Sequence, residues 1–162
     1  MRNLKRSLLG VALAGLVCTV FGLSTTASAQ KTKARAAFEN APSAQQPLYA
    51  EYKGVSPGMT EKEVRAKLGT PTMSDNEMDY FVVSDTETAQ VNYDATRKAR
   101  TISIDYAGGV GAPDHKTVVG GELELKNGSL YKMVRYESLG FWISYNRTTG
   151  PVIIVTITLQ KM

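Results

Sequence analysis

From Thr101 to Tyr106 the chain alternates without a break: Ile102, Ile104 and Tyr106 fall on one side, Thr101, Ser103 and Asp105 on the other. Successive side chains of a strand point to opposite faces, so this run fits a sheet buried on one face and wet on the other. Two strand-like runs precede it, Tyr80 to Ser84 and Ala89 to Tyr93. The second is joined to Arg100–Tyr106 across the turn-rich Asp94-Ala95-Thr96-Arg97-Lys98. The pattern predicts an antiparallel meander.

A helix is expected before it. In Met59-Thr60-Glu61-Lys62-Glu63-Val64, Thr60 is an N-cap, Glu63 closes a capping box, and Met59 and Val64 occupy the two staple positions. Val64 and Leu68 share one helix face, and Gly69 followed by Pro71 ends the helix.

After the break Gly108-Gly109-Val110-Gly111-Ala112-Pro113 the same order of events recurs at an offset of about 51 to 52 residues. Asp114 to Val119 with Gly120-Gly121 answers Glu63 to Leu68 with Gly69. Tyr131-Lys132-Met133-Val134 answers Tyr80-Phe81-Val82-Val83, Ile143-Ser144-Tyr145-Asn146 answers Val91-Asn92-Tyr93-Asp94, and Val152 to Leu159 answers Arg100 to Tyr106. The expected fold class is therefore α+β: an antiparallel sheet with short helices on one face, built from two tandem helix-plus-three-strand units over residues 51–107 and 108–162, packed as one domain. The alternative is two unrelated β-rich halves.

Residues 1–29 read as a secretory signal peptide: a basic start (Arg2, Lys5, Arg6), an apolar run from Leu8 to Leu23, and cleavage after Ala29 in Ala27-Ser28-Ala29. The alternative is an uncleaved membrane anchor. Cys18 is the sole cysteine, and it sits inside the apolar run after Val17, a poor context for lipoprotein processing. Residues 30–50, rich in Ala, Gln, Lys, Ser and Pro, read as a flexible leader. The whole chain carries 19 basic and 15 acidic side chains, whereas residues 54–162 hold 12 and 13. A near-neutral exported domain lacks the charge that nucleic-acid binding needs, and it must be stable without disulfides.

Sites for chemistry are sparse. His115, between Asp114 and Lys116, has no nucleophile elbow, phosphate loop or metal spacing beside it. Gly108-Gly109-Val110-Gly111 lacks the strand and helix that a phosphate loop requires. Asp75, Glu77 and Asp79 read as a solvated acidic linker, with a glycosidase or calcium site as the alternative, and Arg97, Lys98 and Arg100 as a solvated turn, with an anionic head-group contact as the alternative. No catalytic residue, cofactor or metal is expected.

The stretch Val55-Ser56-Pro57-Gly58-Met59-Thr60-Glu61-Lys62-Glu63-Val64-Arg65-Ala66-Lys67-Leu68-Gly69-Thr70-Pro71 resembles the signature of the BamE (SmpA/OmlA) family. Val91-Asn92-Tyr93-Asp94 with Arg100 to Ile104 is similar to that family's strand pair, so the likeness covers about residues 52 to 106. The same segment is shared by the wider group around β-lactamase inhibitory protein. Its residues Gly58, Met59, Thr60, Glu63, Val64, Leu68, Gly69 and Pro71 describe a fold joint rather than a reaction centre. The resemblance implies an exported, non-catalytic protein-binding module of the bacterial cell envelope, related to outer membrane assembly factors. Its partner would be another envelope protein, with contact to the outer-membrane surface and no nucleic acid or metal. The alternative it implies is a soluble inhibitor of a secreted hydrolase. The chain departs from BamE proteins in lacking a proper lipobox and in carrying a second β-rich half.

An aromatic face is the remaining candidate. If Phe141, Ile143 and Tyr145 face the helices, Trp142 and Ser144 face away, alongside Gln90, Asn92 and Asp94, and Tyr80 and Tyr131 join them at matching places in the two halves. With the opposite parity Trp142 would be core. Exposed Trp and Tyr are interface anchors, and inhibitors of the group that this chain resembles bind through the open sheet face. Trp142, Tyr80, Tyr131, Ser144 and Asn92 are the candidate protein-binding residues.

Overall fold

The computed structural model describes residues 46–162. The expected signal peptide, its cleavage site, Cys18 and the leader up to residue 45 lie outside the described residues. Among those described, no helix is long and apolar enough to cross a membrane.

Helix α1 (Glu61–Leu68) begins as its sequence dictates. The Thr60 hydroxyl accepts from the Glu63 amide at 3.4 Å, and the Glu63 carboxylate accepts from the Thr60 amide at 2.8 Å. Val64 is wholly buried and Met59 and Leu68 pack against the core. Gly58 enters the helix at φ +94 while its amide donates to the Ala99 carbonyl at 2.7 Å, and Gly69 leaves it at φ +87. Both are conformations that side chains with a Cβ resist. Four strands follow: β1 (Met73–Ser74), β2 (Met78–Val82), β3 (Glu87–Tyr93) and β4 (Ala99–Ala107). Helix α2 (His115–Val119), N-capped by Asp114, opens the second half, and β5 (Glu124–Lys126), β6 (Ser129–Tyr136), β7 (Phe141–Thr148) and β8 (Ile154–Lys161) complete it.

All eight strands form one antiparallel sheet in the order β1-β2-β3-β4-β8-β7-β6-β5. This corrects the expected α+β fold of two helix-plus-three-strand units: the protein is mostly β. The reason is how little helix there is: eight strands hold most of the regular structure against two short helices. β4 and β8 pair in register from Thr101↔Gln160 to Ala107↔Ile154, so the two halves share one sheet and one core. The helices, 8 and 5 residues long, bury only Val64, Val118 and Val119. The short outer strands β1 and β5, absent from the sequence reading, widen the sheet at both sides.

The core lies on the helix-covered face. Val91, Ile102, Leu159 and Ile143 form one row across four strands, with Ala89, Ile104, Ile157 and Tyr145 beside it. Val91, Ile102, Ile104, Ile143, Ile157 and Leu159 are fully buried, and each such side chain contributes about 1.5–3 kcal/mol. The two edges of the sheet differ. Beside β1 the Thr72 hydroxyl accepts from the Val82 amide at 3.2 Å. On the other side β5 pairs only with Ser129–Tyr131, so Lys132–Tyr136 of β6 has no strand outside it among the described residues.

Candidate binding face

Strand register assigns three rows of side chains to the middle of the uncovered face. The lowest row, nearest the β3–β4 turn, runs Met78, Asn92, Thr101, Gln160, Trp142, Arg135. Above it come Tyr80, Gln90, Ser103, Thr158, Ser144 and Met133, and above these Val82, Thr88, Asp105, Thr156, Asn146 and Tyr131. Trp142 lies opposite the helices, flanked by Gln160 and Arg135, because Phe141, Ile143 and Tyr145 are buried on the helix side.

The face is polar and internally hydrogen-bonded. The Gln90 side-chain amide donates to Asn92 at 3.2 Å, Ser103 and Thr158 hydroxyls meet at 3.4 Å, and the Thr156 hydroxyl donates to Asp105 at 2.6 Å. Ser144 is buried at 6% exposure, whereas Trp142, Tyr80, Asn92 and Tyr131 are partly exposed. The sheet keeps its aromatic residues apart. At about 4.8 Å between strands, Tyr80 on β2 stands about 19 Å from Trp142 on β7, and Tyr131, four residues farther along β6 than Arg135, about 14 Å from it. Sequence reasoning grouped the three by face and missed Trp142's actual neighbours, Gln160 and Arg135. Arg135 becomes visible only when the run Tyr131–Val134 is extended by two residues along β6. Asn146 was missed as well; its Oδ1 is buried without a hydrogen-bond partner.

The opposite face holds the other candidates. Asp79 is not in a solvated linker: it is wholly buried on β2, where it accepts from Arg65 Nε at 2.8 Å, Arg65 Nη2 at 2.7 Å and the Tyr93 hydroxyl at 2.8 Å. Burial raises its carboxyl, but hydrogen bonds from Arg65, Ser74 and Tyr93 outweigh that and hold it below the usual carboxylate range. Burial, then the bond to Asp79, pushes the Tyr93 phenol up. Arg65 continues to Glu61 at 2.6 Å, and Glu61 accepts from Arg97 Nε at 2.9 Å. Arg97 also lies 5.5 Å from the Tyr93 ring, so it is tied to α1 rather than free in a solvated turn; Lys98 and Arg100 are exposed. Asp75 accepts from the Glu77 and Met78 amides and shapes the turn before β2.

His115 stands 3.8 Å from Asp114 through Nδ1 and 3.6 Å from Glu122 through Nε2, with its ring edge-on to Tyr145. The Gly108–Gly111 stretch is a turn whose first amide donates to the Ile153 carbonyl at 2.8 Å. Among the described residues, no group of three or more His, Cys, Asp or Glu side chains is arranged to hold a metal ion.

Compared with known proteins, the chain matches no family model, no curated protein and no solved structure.

Proposed function

We propose that this chain is an exported, non-catalytic protein-binding module of the bacterial cell envelope, of the kind that the resemblance of residues 55–71 to outer membrane assembly factor BamE implies. The observation that carries the reading is the uncovered sheet face with the chain's only Trp, Trp142, standing partly exposed between Gln160 and Arg135. A large amphipathic ring beside an Arg on an otherwise hydroxyl- and amide-rich surface is the composition of an interface anchor. The face holds few charges, so its complexes are expected to change little between 50 and 500 mM salt, unlike complexes steered by opposed charge.

The test is capture of envelope proteins by the tagged protein from solubilised membranes. A specific envelope protein should be retained, and Trp142→Ala should weaken its binding by at least about 2 kcal/mol, roughly 30-fold. Capture without any envelope protein, or undiminished affinity after Trp142→Ala, would refute the reading. A second reading, inhibition of a secreted hydrolase, uses the same face. It predicts stoichiometric loss of a hydrolase's activity that Trp142→Ala relieves.

A further inference from the structure

The upper rim of the open face, where β2 and β4 end, carries two shallow depressions of about 310 and 330 Å³. That is the lower end of the range for ligand pockets, about 300–1,000 Å³. The first is lined by Asp85, Thr86, Thr88, Asp105, Thr148 and Thr156, with Ile154 and Ala107 as its apolar wall. The second is lined by Lys126, Asn127, Ser129, Tyr131 and Asn146. Thr156 on β8, which lines the first, and Asn146 on β7, which lines the second, stand opposite each other in register. Taken as one trough, the two depressions cross the strands from β3 to β5, five strand spacings or about 24 Å, the length of about four or five linked sugar rings.

We infer that this trough binds an uncharged oligosaccharide laid across the strands. Its chemistry is that of a polyol site. Hydroxyls of Thr86, Thr88 and Ser129 both donate and accept, the carboxylates of Asp85 and Asp105 accept, and Thr148, whose hydroxyl already donates to the Val152 carbonyl at 2.8 Å, can offer only a remaining lone pair. Tyr131, directly opposite Asn146, offers a ring with an apolar face and a polar tip, suited to the mixed surface of a pyranose. Lys126, 5.0 Å from that ring, supplies donors at the far end. The acceptor-rich lining favours a ligand with many hydroxyl donors over a polypeptide, which offers one amide donor per residue and takes its main-chain bonds at sheet edges rather than on a sheet face. The inference is independent of the proposed protein partner.

Calorimetric titration of the purified full chain with cellohexaose and with chitohexaose tests it, with a Gly-Ser hexapeptide as the third arm. At least one saccharide should bind with a Kd below about 1 mM. Tyr131→Ala should weaken that binding at least about tenfold, as loss of an aromatic anchor does. Asp105→Asn, which keeps an acceptor for the Thr156 hydroxyl and so spares the fold, should weaken it at least about fivefold. Matching thermal unfolding curves for both variants establish that the fold is intact. Three results overturn the inference: no binding of either saccharide at 5 mM, binding that either substitution leaves undiminished, or equal binding of the hexapeptide, which would assign the trough to polypeptide.

Discussion

Asp79 lies wholly out of water on β2, and the side chains around it were chosen to make that tolerable: Arg65 binds it with two nitrogens and Tyr93 adds a hydroxyl. In the sequence it stands two residues from Glu77 and four from Asp75, and three alternating acids look like a wet linker. Only the register Asp79↔Val91 puts it on the core face, and the partner that neutralises it is 14 residues away on α1. Burial of a charge is not written in local composition, so this residue was illegible. Asp79→Ala should leave Arg65 Nε and the Tyr93 hydroxyl without their acceptor, although Arg65 Nη2 keeps Glu61. Arg65 keeps 38% of its side chain exposed, so the loss belongs at the low end of about 3–5 kcal/mol, read from urea unfolding. An unfolded aspartate titrates at about 3.9. Because folded Asp79 titrates lower, its contribution is complete above that value and is lost as the pH falls through the folded value. Stability measured against pH should therefore drop more steeply below about pH 4 in the wild type than in Asp79→Asn.

At the scale of elements, local chemistry was readable wherever it was local. The cap Thr60, its reciprocal partner Glu63 and the exit at Gly69 lie within ten residues of one another, and α1 spans Glu61–Leu68 between them. The alternation of Ile102, Ile104 and Tyr106 places β4 with its polar side chains outward. β1 and β5 were not readable, because runs of two and three residues carry no periodicity. They exist because a neighbouring strand offers them hydrogen bonds. The parity of Trp142 was left open by the sequence and is decided by its neighbours Phe141 and Ile143, both buried against the helices. Thr60→Ala should cost about 1 kcal/mol of stability through loss of the cap. Gly58→Ala should cost about 1–2 kcal/mol although open space surrounds the added methyl, because φ +94 is a backbone conformation that alanine resists. Chemical denaturation of the two variants measures both, and a Gly58→Ala protein as stable as the wild type would remove the backbone argument.

For the whole molecule, the recurrence at 51 to 52 residues pointed to two units in one antiparallel sheet, and the structure shows that β4 and β8 are the strands that join them. Which strands meet at this seam was not legible, because pairing between strands far apart in the chain leaves no local pattern. A shared core predicts a single cooperative transition: unfolding followed by Trp142 fluorescence, which reports the second half, should coincide with unfolding followed by far-ultraviolet circular dichroism, which reports both. Separate midpoints would mean that the halves are independent.

The seam also orders the events of folding. Ser103 and Thr158, which face each other across it, are 55 residues apart, whereas β3–β4, β6–β7 and the other hairpins close over a few residues. Short loops close at little entropic cost and long ones wait for other contacts to bring their ends together. The two meanders should therefore take shape first and zip together last. A cavity at the zipper, such as Ile157→Val opposite Ile104, should then accelerate unfolding while leaving the refolding rate nearly unchanged.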